Sequence, residues 1–420
     1  MVDWQTIPLG KLCRIELGRT PARKTKSFWD KEKMTRNVWL SIADLPKSIH
    51  AHVAESKENI SNEAAKSGKI VKKGTLLVSF KLTLGRLAYA GQDLFTNEAI
   101  AALNILDEMT INREYLYWYL TFFNWEKAAE GDHKIKGKTL NKTKLKLLQV
   151  LIPPLPEQKL IVAILDRAFA AIETAKANAE RNLENAKELF ENSRDKTMKV
   201  TGTETTIGGE VSLLPGFAFK SDNYTDMADG VKLLRGDNII QGKFRWEGVK
   251  RWPKDDIDKY SKSQLMEGDV VIAMDRPWVN AGLKRSYTTE ADLPCFLVQR
   301  VARLRCFKNL DSRYLFHLIS GQGFIKYILR DQTGTGVPHI SGGQISNFQF
   351  KRPTIEGQQL IVSMLDHIEK LLTKFIIHSN DKLTLLNELK QSLLHQAFTG
   401  QLTANPATTT PSDQSNSEAA

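Results

Sequence analysis

The 420-residue sequence predicts an α+β protein of two tandem globular domains separated by two long helices that form an antiparallel coiled coil. Three observations carry this prediction. One helix-opening segment occurs twice, at Pro153–Asp166 and Pro353–Asp366. A β-rich stretch precedes each copy, over 1–154 and 201–352. Each copy then starts a run in which apolar residues recur at spacings of three and four.

The first copy reads Pro153-Pro-Leu-Pro-Glu-Gln-Lys-Leu-Ile-Val-Ala-Ile-Leu-Asp166, the second Pro353-Thr-Ile-Glu-Gly-Gln-Gln-Leu-Ile-Val-Ser-Met-Leu-Asp366. Seven of these fourteen aligned positions are identical. The domains echo each other as well. Asn37–Leu45 matches Val231–Ile239, Lys72–Phe80 matches Met266–Met274, and Asn112–Leu120 matches Asp311–Leu318, in the same order. Chance similarity of short apolar runs does not preserve order across four blocks, so the chain reads as one module duplicated.

Taken along the chain, domain 1–154 carries the strand-length run Thr75-Leu-Leu-Val-Ser-Phe80 after Gly74. Tyr115–Leu120, with Phe122 and Phe123, reads as a buried helix whose aromatics are core. Segment 155–200 has no Pro or Gly from 157 to 197, which allows one helix of about 60 Å at about 1.5 Å per residue. Its seam is Ile161, Leu165, Ala168, Ile172, Ala175, Ala179, Ala186 and Leu189. Domain 201–352 repeats the pattern with Asp269–Met274 after Gly268 and an apolar helix at Tyr314–Ile319. Segment 353–400 supplies Ile361, Leu365, Ile368, Leu372, Phe375, Leu386, Leu389 and Leu393 before Gly400 stops it. Small residues on the first helix facing large ones on the second favour interdigitation. A homodimeric zipper is the competing reading. The tail 401–420, small and polar, is expected to be disordered.

Composition narrows the function. No run approaches eighteen apolar residues, so no membrane span is expected, and the N-terminus lacks the pattern of a secretory signal. Three scattered cysteines fit neither a disulfide framework nor a zinc ribbon, which points to a reducing cytoplasm. The formal charge is +11, and it is uneven. Residues 1–150 hold 25 Lys/Arg against 16 Asp/Glu, and residues 201–350 hold 20 against 17, while the helical segments balance. A surplus on the globules suits nucleic acid, because each neutralised phosphate releases counterions; a basic surface serving solubility alone is the plainer reading.

Enzyme motifs fail on inspection. Gly131–Thr139 has five residues between its glycines where a phosphate loop needs four, and no strand precedes it. Gly334-Thr-Gly336 lacks the third glycine of a dinucleotide site. Glu55-Ser-Lys57 has no preceding Pro-Asp pair, and His50 and His52 have no companion ligands, so neither a nuclease nor a metal site is expected.

The duplicated pattern resembles the specificity subunit of type I restriction-modification systems. The likeness rests on Ile152-Pro-Pro-Leu-Pro-Glu-Gln158, on Lys390-Gln-Ser-Leu-Leu-His-Gln-Ala-Phe-Thr-Gly-Gln-Leu402, on Trp4–Gly10 and on Thr83-Leu-Gly-Arg-Leu-Ala88. The second helix opening departs from it, having lost the Pro-Leu-Pro-Glu form. The resemblance implies a non-catalytic reader of double-stranded DNA with two target-recognition domains, each taking one half of a bipartite target. The helix pair would set the spacer and dock two modification (methyltransferase) subunits, and restriction (motor-nuclease) subunits would join them. This chain would bind no cofactor and no metal; S-adenosylmethionine, ATP and Mg belong to the partners. A scaffold that binds nucleic acid without sequence preference is the alternative.

Base reading needs Arg, Lys, Asn or Gln at groove depth and phosphate contact needs rim cations. Candidates are Lys81 and Arg86, which flank Gly85, and Lys134, Lys136 and Lys138 on a Gly-bounded loop. The second domain offers Arg235, Arg276, Lys284, Thr335 and His339. Candidates for the helix pair and partner docking are Ile161, Leu165, Ile172, Leu189, Ile361, Leu365, Leu372, Phe375, Leu386 and Leu393.

Overall fold

The computed structural model describes residues 4–130, 133–134, 137–138, 140–279, 282–330 and 339–404, with backbone alone at 133–134, 137–138 and 279. Two compact units emerge: Met1–Ala177 with Leu383–Ala420, and Asn178–Lys382. Each long helix is divided between them because its two ends pack on different cores. Ile161, Leu165 and Phe169 join the core of unit 1 together with Leu394, Ala397 and Phe398. Ile361 and Val362 pack on the core of unit 2.

Unit 1 contains β1 (Gln5–Pro8), β2 (Cys13–Leu17), β3 (Val38–Leu40), β4 (His52–Val53), β5 (Leu76–Ser79), β6 (Leu87–Ala90), β7 (Phe95–Thr96), β8 (Ile100–Ile105) and β9 (Gln149–Ile152). Its main sheet runs β2-β8-β5-β6-β4. All four residues of β5 are buried, which is why the strand reads as a continuous run and not as an alternation. β3 and β7 pair in parallel in a smaller sheet, Trp39 beside Phe95, and β1 pairs with β9 where the long helix begins. Helix α1 (Arg113–Phe122) is capped by the Asn112 side chain accepting from Tyr115 N–H at 2.9 Å. Its aromatics Tyr115, Tyr117 and Trp118 are buried, as core aromatics should be. Helix α2 spans Leu155–Thr197.

Unit 2 repeats the plan with β10 (Thr203–Thr206), β11 (Val211–Pro215), β12 (Val231–Leu234), β13 (Val270–Ala273), β14 (Trp278–Val279), β15 (Gly282–Leu283), β16 (Arg285–Tyr287), β17 (Cys295–Leu297), β18 (Val301–Cys306) and β19 (Gln349–Arg352). The order β11-β18-β13-β16 reproduces β2-β8-β5-β6, and β12 pairs in parallel with β17 as β3 does with β7. Helix α3 (Ser312–Ser320) is capped by Asp311. Helix α4 spans Ile355–Phe398 and opens at the position equivalent to Leu155 despite the lost prolines.

The retained glutamine explains why. Gln158, fully buried, donates from Nε2 to the carbonyls of Pro153 (2.8 Å) and Thr110 (3.0 Å) and accepts from Asn112 N–H (2.8 Å). Gln358, equally buried, donates to Pro353 and Asn309 (both 3.0 Å) and accepts from Asp311 N–H (2.8 Å). One carboxamide thus satisfies three backbone groups and ties the long helix to the cap of the short one. The repeated aspartate adds a second tie. Asp166 accepts from Trp118 Nε1 at 2.7 Å, and Asp366 is held by His317 Nε2 at 2.7 Å and Arg313 at 2.6 Å. Trp118 and His317 occupy equivalent positions on α1 and α3.

The seam follows the helix period more closely than the sequence suggests. Ile161, Leu165, Ile172 and Leu365 are buried, and Ile361, Leu372, Leu386 and Leu393 are half-buried. Leu189 is 68% exposed, Leu389 46% and Phe375 41%; Phe190, Lys390 and Ile376 take the inward places. The correction is one residue at each site, because a 3.6-residue turn drifts from a strict 3.5 repeat. Within unit 1, Glu173 pairs with Lys390 and Lys176 donates to Asn387 Oδ1 at 3.1 Å.

Two outcomes are expected. Gln158→Ala strands the buried Pro153 carbonyl and removes two part-buried bonds, to Thr110 and from Asn112, so urea unfolding should shift by about 1–3 kcal/mol. A shift below about 1 kcal/mol would contradict the anchoring role. For Asp366, burial opposes ionisation, but the bonds from His317 and Arg313 prevail and hold the carboxyl at about 2 instead of 3.8. A depressed folded value means the stabilisation is complete above about pH 4 and is lost as pH falls toward 2. Asp366→Asn should therefore flatten the acid dependence of the unfolding midpoint between pH 4 and 2; parallel curves would count against it.

Candidate nucleic-acid interface

The central strand of each sheet ends in a turn that carries the sequence-selected cations. In unit 1, β5 leads through Phe80–Gly85 to Arg86. Lys81 lies over the Phe80 ring, its Nζ 5.3 Å from the centroid. Arg86 donates to the Ile42 carbonyl at 3.3 Å, and its own N–H is held by Ser79 Oγ at 2.9 Å. Gly85 sits at φ +74°, and a Cβ there would lie 2.3 Å from the Trp125 ring, so the turn requires glycine. Lys134 and Lys138 fall in a pair of two-residue strands, described as backbone alone. Lys136 and Thr335 lie outside the described residues.

In unit 2 the candidates converge. Arg235, Arg276 and Lys284 line one open cleft of about 760 Å³, together with Arg300, Asp237 and Asp275. Four cations against two carboxylates leave the cleft positive. Its floor is fixed by backbone bonds: Met274 N–H to the Arg300 carbonyl (2.8 Å) and Ile340 N–H to the Met274 carbonyl (2.7 Å). These bring the end of β13, the residue before β18 and the 339–340 segment together beside Asp275. Its carboxylate binds His339 Nδ1 at 2.5 Å and Arg300 Nε at 3.0 Å. Arg276 and Arg300 both hold positive φ, +45° and +69°, a conformation that non-glycine residues adopt where surroundings impose it. Burial pushes the Lys284 ammonium below its ordinary range, and Arg245 and Arg276 add to that while Asp237 opposes it. An arriving anion would oppose that depression.

Arg300 and Asp275 were not among the sequence candidates. The available signal was Gln299-Arg300, two base-reading residue types immediately after a buried apolar run. In unit 1 the Arg23 guanidinium stacks 3.9 Å from the Trp29 centroid and pairs with Glu58. Among the described residues, the one cluster with metal-ligand spacing is His317, Asp366 and Glu369. Arg313 already bridges both of its carboxylates, so the set reads as an ion-pair network. No helix among the described residues is long and apolar enough to cross a membrane.

Comparison with known proteins gives one consistent result. The family model for the type I restriction modification DNA specificity domain matches residues 1–183 and 223–385. The EcoAI specificity subunit of Escherichia coli is 32% identical over 191 residues, covering 46% of this chain and 31% of that protein. The MjaVIII specificity subunit of Methanocaldococcus jannaschii is 25% identical over 425 residues, 95% of this chain and 93% of that one. Two solved structures share the fold at 16% identity. One, from work on complex assembly and conformational transition of the type I R-M system, gives a TM-score of 0.75 over 96% of this chain and 99% of that chain. The other, the HsdS subunit of Thermoanaerobacter tengcongensis, gives 0.57 over 95% and 97%.

If the cleft holds phosphates, Arg300→Ala should weaken binding of the chain to duplex DNA and reduce the slope of log affinity against log salt by about one. An unchanged slope in a filter-binding titration would remove Arg300 from the interface.

Proposed function

The chain belongs to the type I restriction-modification DNA specificity family, and on that premise we propose that each unit reads one half of a bipartite duplex target. The chain contributes no catalytic group; it directs methyltransferase subunits, and motor-nuclease subunits where present, to the sites it selects. S-adenosylmethionine, ATP and Mg belong to those partners. The observation that carries this reading is the repeated turn after the central strand. Both copies place cations there on the same backbone frame, while the turn itself differs in length and residue type. A frame held constant with variable tips suits two different half-sites.

Long helices α2 and α4 would form an antiparallel coiled coil that sets the gap between half-sites. Its support is the pairing within unit 1, where Glu173 meets Lys390 and Lys176 meets Asn387, so numbering rises on one helix as it falls on the other. At about 1.5 Å per residue, helices of 43 and 44 residues extend about 65 Å. That exceeds the roughly 34 Å between the centres of half-sites one turn apart. The exposed faces of both helices would dock the methyltransferase subunits.

The test is genome-wide adenine methylation by long-read sequencing, in cells expressing the cognate modification subunit with and without this chain. A new motif of two short half-sites and a fixed gap is expected. Unchanged methylation, with both proteins soluble and associated, would favour a scaffold that binds nucleic acid without sequence preference.

A further inference from the structure

We propose that Trp278 is a wedge that enters the base stack of the half-site read by unit 2. This rests on the reading of the chain as a DNA reader and adds to it a named residue and a distortion of the duplex.

Seven of the eight tryptophans donate their indole N–H to a partner. Trp4 bonds Glu157, Trp29 the Ala22 carbonyl, Trp39 the Arg19 carbonyl, Trp118 Asp166, Trp125 the Leu120 carbonyl, Trp246 Asp292 and Trp252 Asp256. Among the described residues Trp278 has no such bond and no ring contact, and it is 38% exposed. A protein has little reason to leave an amphipathic ring unpartnered unless the partner arrives later.

Position says what that partner is. The register aligns Ser79 with Ala273 and Arg86 with Lys284, since Ser79 N–H bonds the Arg86 carbonyl at 2.9 Å and Ala273 N–H the Lys284 carbonyl at 3.0 Å. Between these limits the turn is Phe80–Gly85 in unit 1 and Met274–Leu283 in unit 2, four residues longer. Within the longer turn β14 and β15 pair, with Trp278 opposite Leu283. Arg276 lies two residues before the indole and Lys284 follows β15, both on the positive cleft. The shorter turn of unit 1 also exposes an apolar side chain between cations: Leu82, 55% exposed at φ +64°, lies between Lys81 and Arg86. Cations alone would suffice for phosphates. An apolar side chain set between them suits the base step inside a pair of phosphate backbones, where apolar wedges unstack and kink a duplex. An indole on the longer turn offers a larger stacking face than a leucine at a tight turn, so the distortion should be greater at the half-site of unit 2.

The experiment uses the assembled methyltransferase complex and a duplex carrying the bipartite motif that the wild-type complex methylates. 2-Aminopurine is placed in turn at each step of both half-sites. Beyond the rise at the flipped target adenine of each half-site, wild type should raise the fluorescence at one further step of the half-site assigned to unit 2. Trp278→Ala should abolish that rise and weaken binding to this duplex at least about tenfold, with binding to a motif-free duplex unchanged. Trp278→Phe should restore both, because a smaller ring still stacks. No rise outside the flipped adenines with wild type overturns the wedge, as does a variant with weakened binding that keeps the further rise. If the wild-type complex methylates no motif, the DNA-reading function itself fails and the wedge with it. Methylation that proceeds normally with Trp278→Ala sinks the wedge alone.

Discussion

A single buried carboxamide at the first turn of each long helix determines how that helix meets its domain. Gln158 and Gln358 make the same three bonds, to the proline two residues before the helix, to the loop ahead of the short helix, and to the N–H of that helix's cap. Because both glutamines are out of contact with water, each bond is worth most when all are made, and a partly satisfied network is worse than none. The anchor therefore allows little variation in the angle at which α2 leaves unit 1 or α4 opens in unit 2. Asp166 and Asp366, eight residues further along, repeat the constraint two turns on. Within each unit the sheet, the short helix and the long helix become one body, and the turns after β5 and β13 leave its central strands.

That rigidity leaves the turns free to diverge. β5 and β13 are buried along their whole length and pair identically with their neighbours. The segment after each strand has changed in length and charge. Lys81 has its counterpart in Asp275, which organises Arg300 and His339 where the first copy has a cation over the Phe80 ring. Unit 2 so achieves a positive cleft with a smaller surplus of charge than unit 1, by ordering its cations. The same freedom shows behind the turns, where Trp118 and His317 serve one aspartate position with different chemistry.

What the sequence made legible follows from what each residue needs. The helix openings were visible because the buried glutamine and the bonded aspartate recur at the same places beside the same apolar stripe in both copies. Central strands were visible because burial on both faces leaves an unbroken apolar run. Four of the unit 2 candidates, Arg235, Arg276, Lys284 and His339, meet at or beside one cleft, since they end strands that the fold brings together. Arg300 escaped notice because one arginine on a turn has no periodicity to betray it; its role depends on Asp275, which is distant in sequence. The seam slipped by one residue at Leu189 and Phe375 because a short window cannot separate a period of 3.5 from 3.6.

The central claim is that two copies of one reading module are held at a distance set by their helices. It is tested most directly by inserting four residues, close to one helical turn, into the middle of both α2 and α4. The methylated motif of cells carrying the lengthened chain is then compared with that of wild type. The account predicts the same two half-sites separated by a longer gap. An identical gap, or altered half-sites with the gap unchanged, would contradict it.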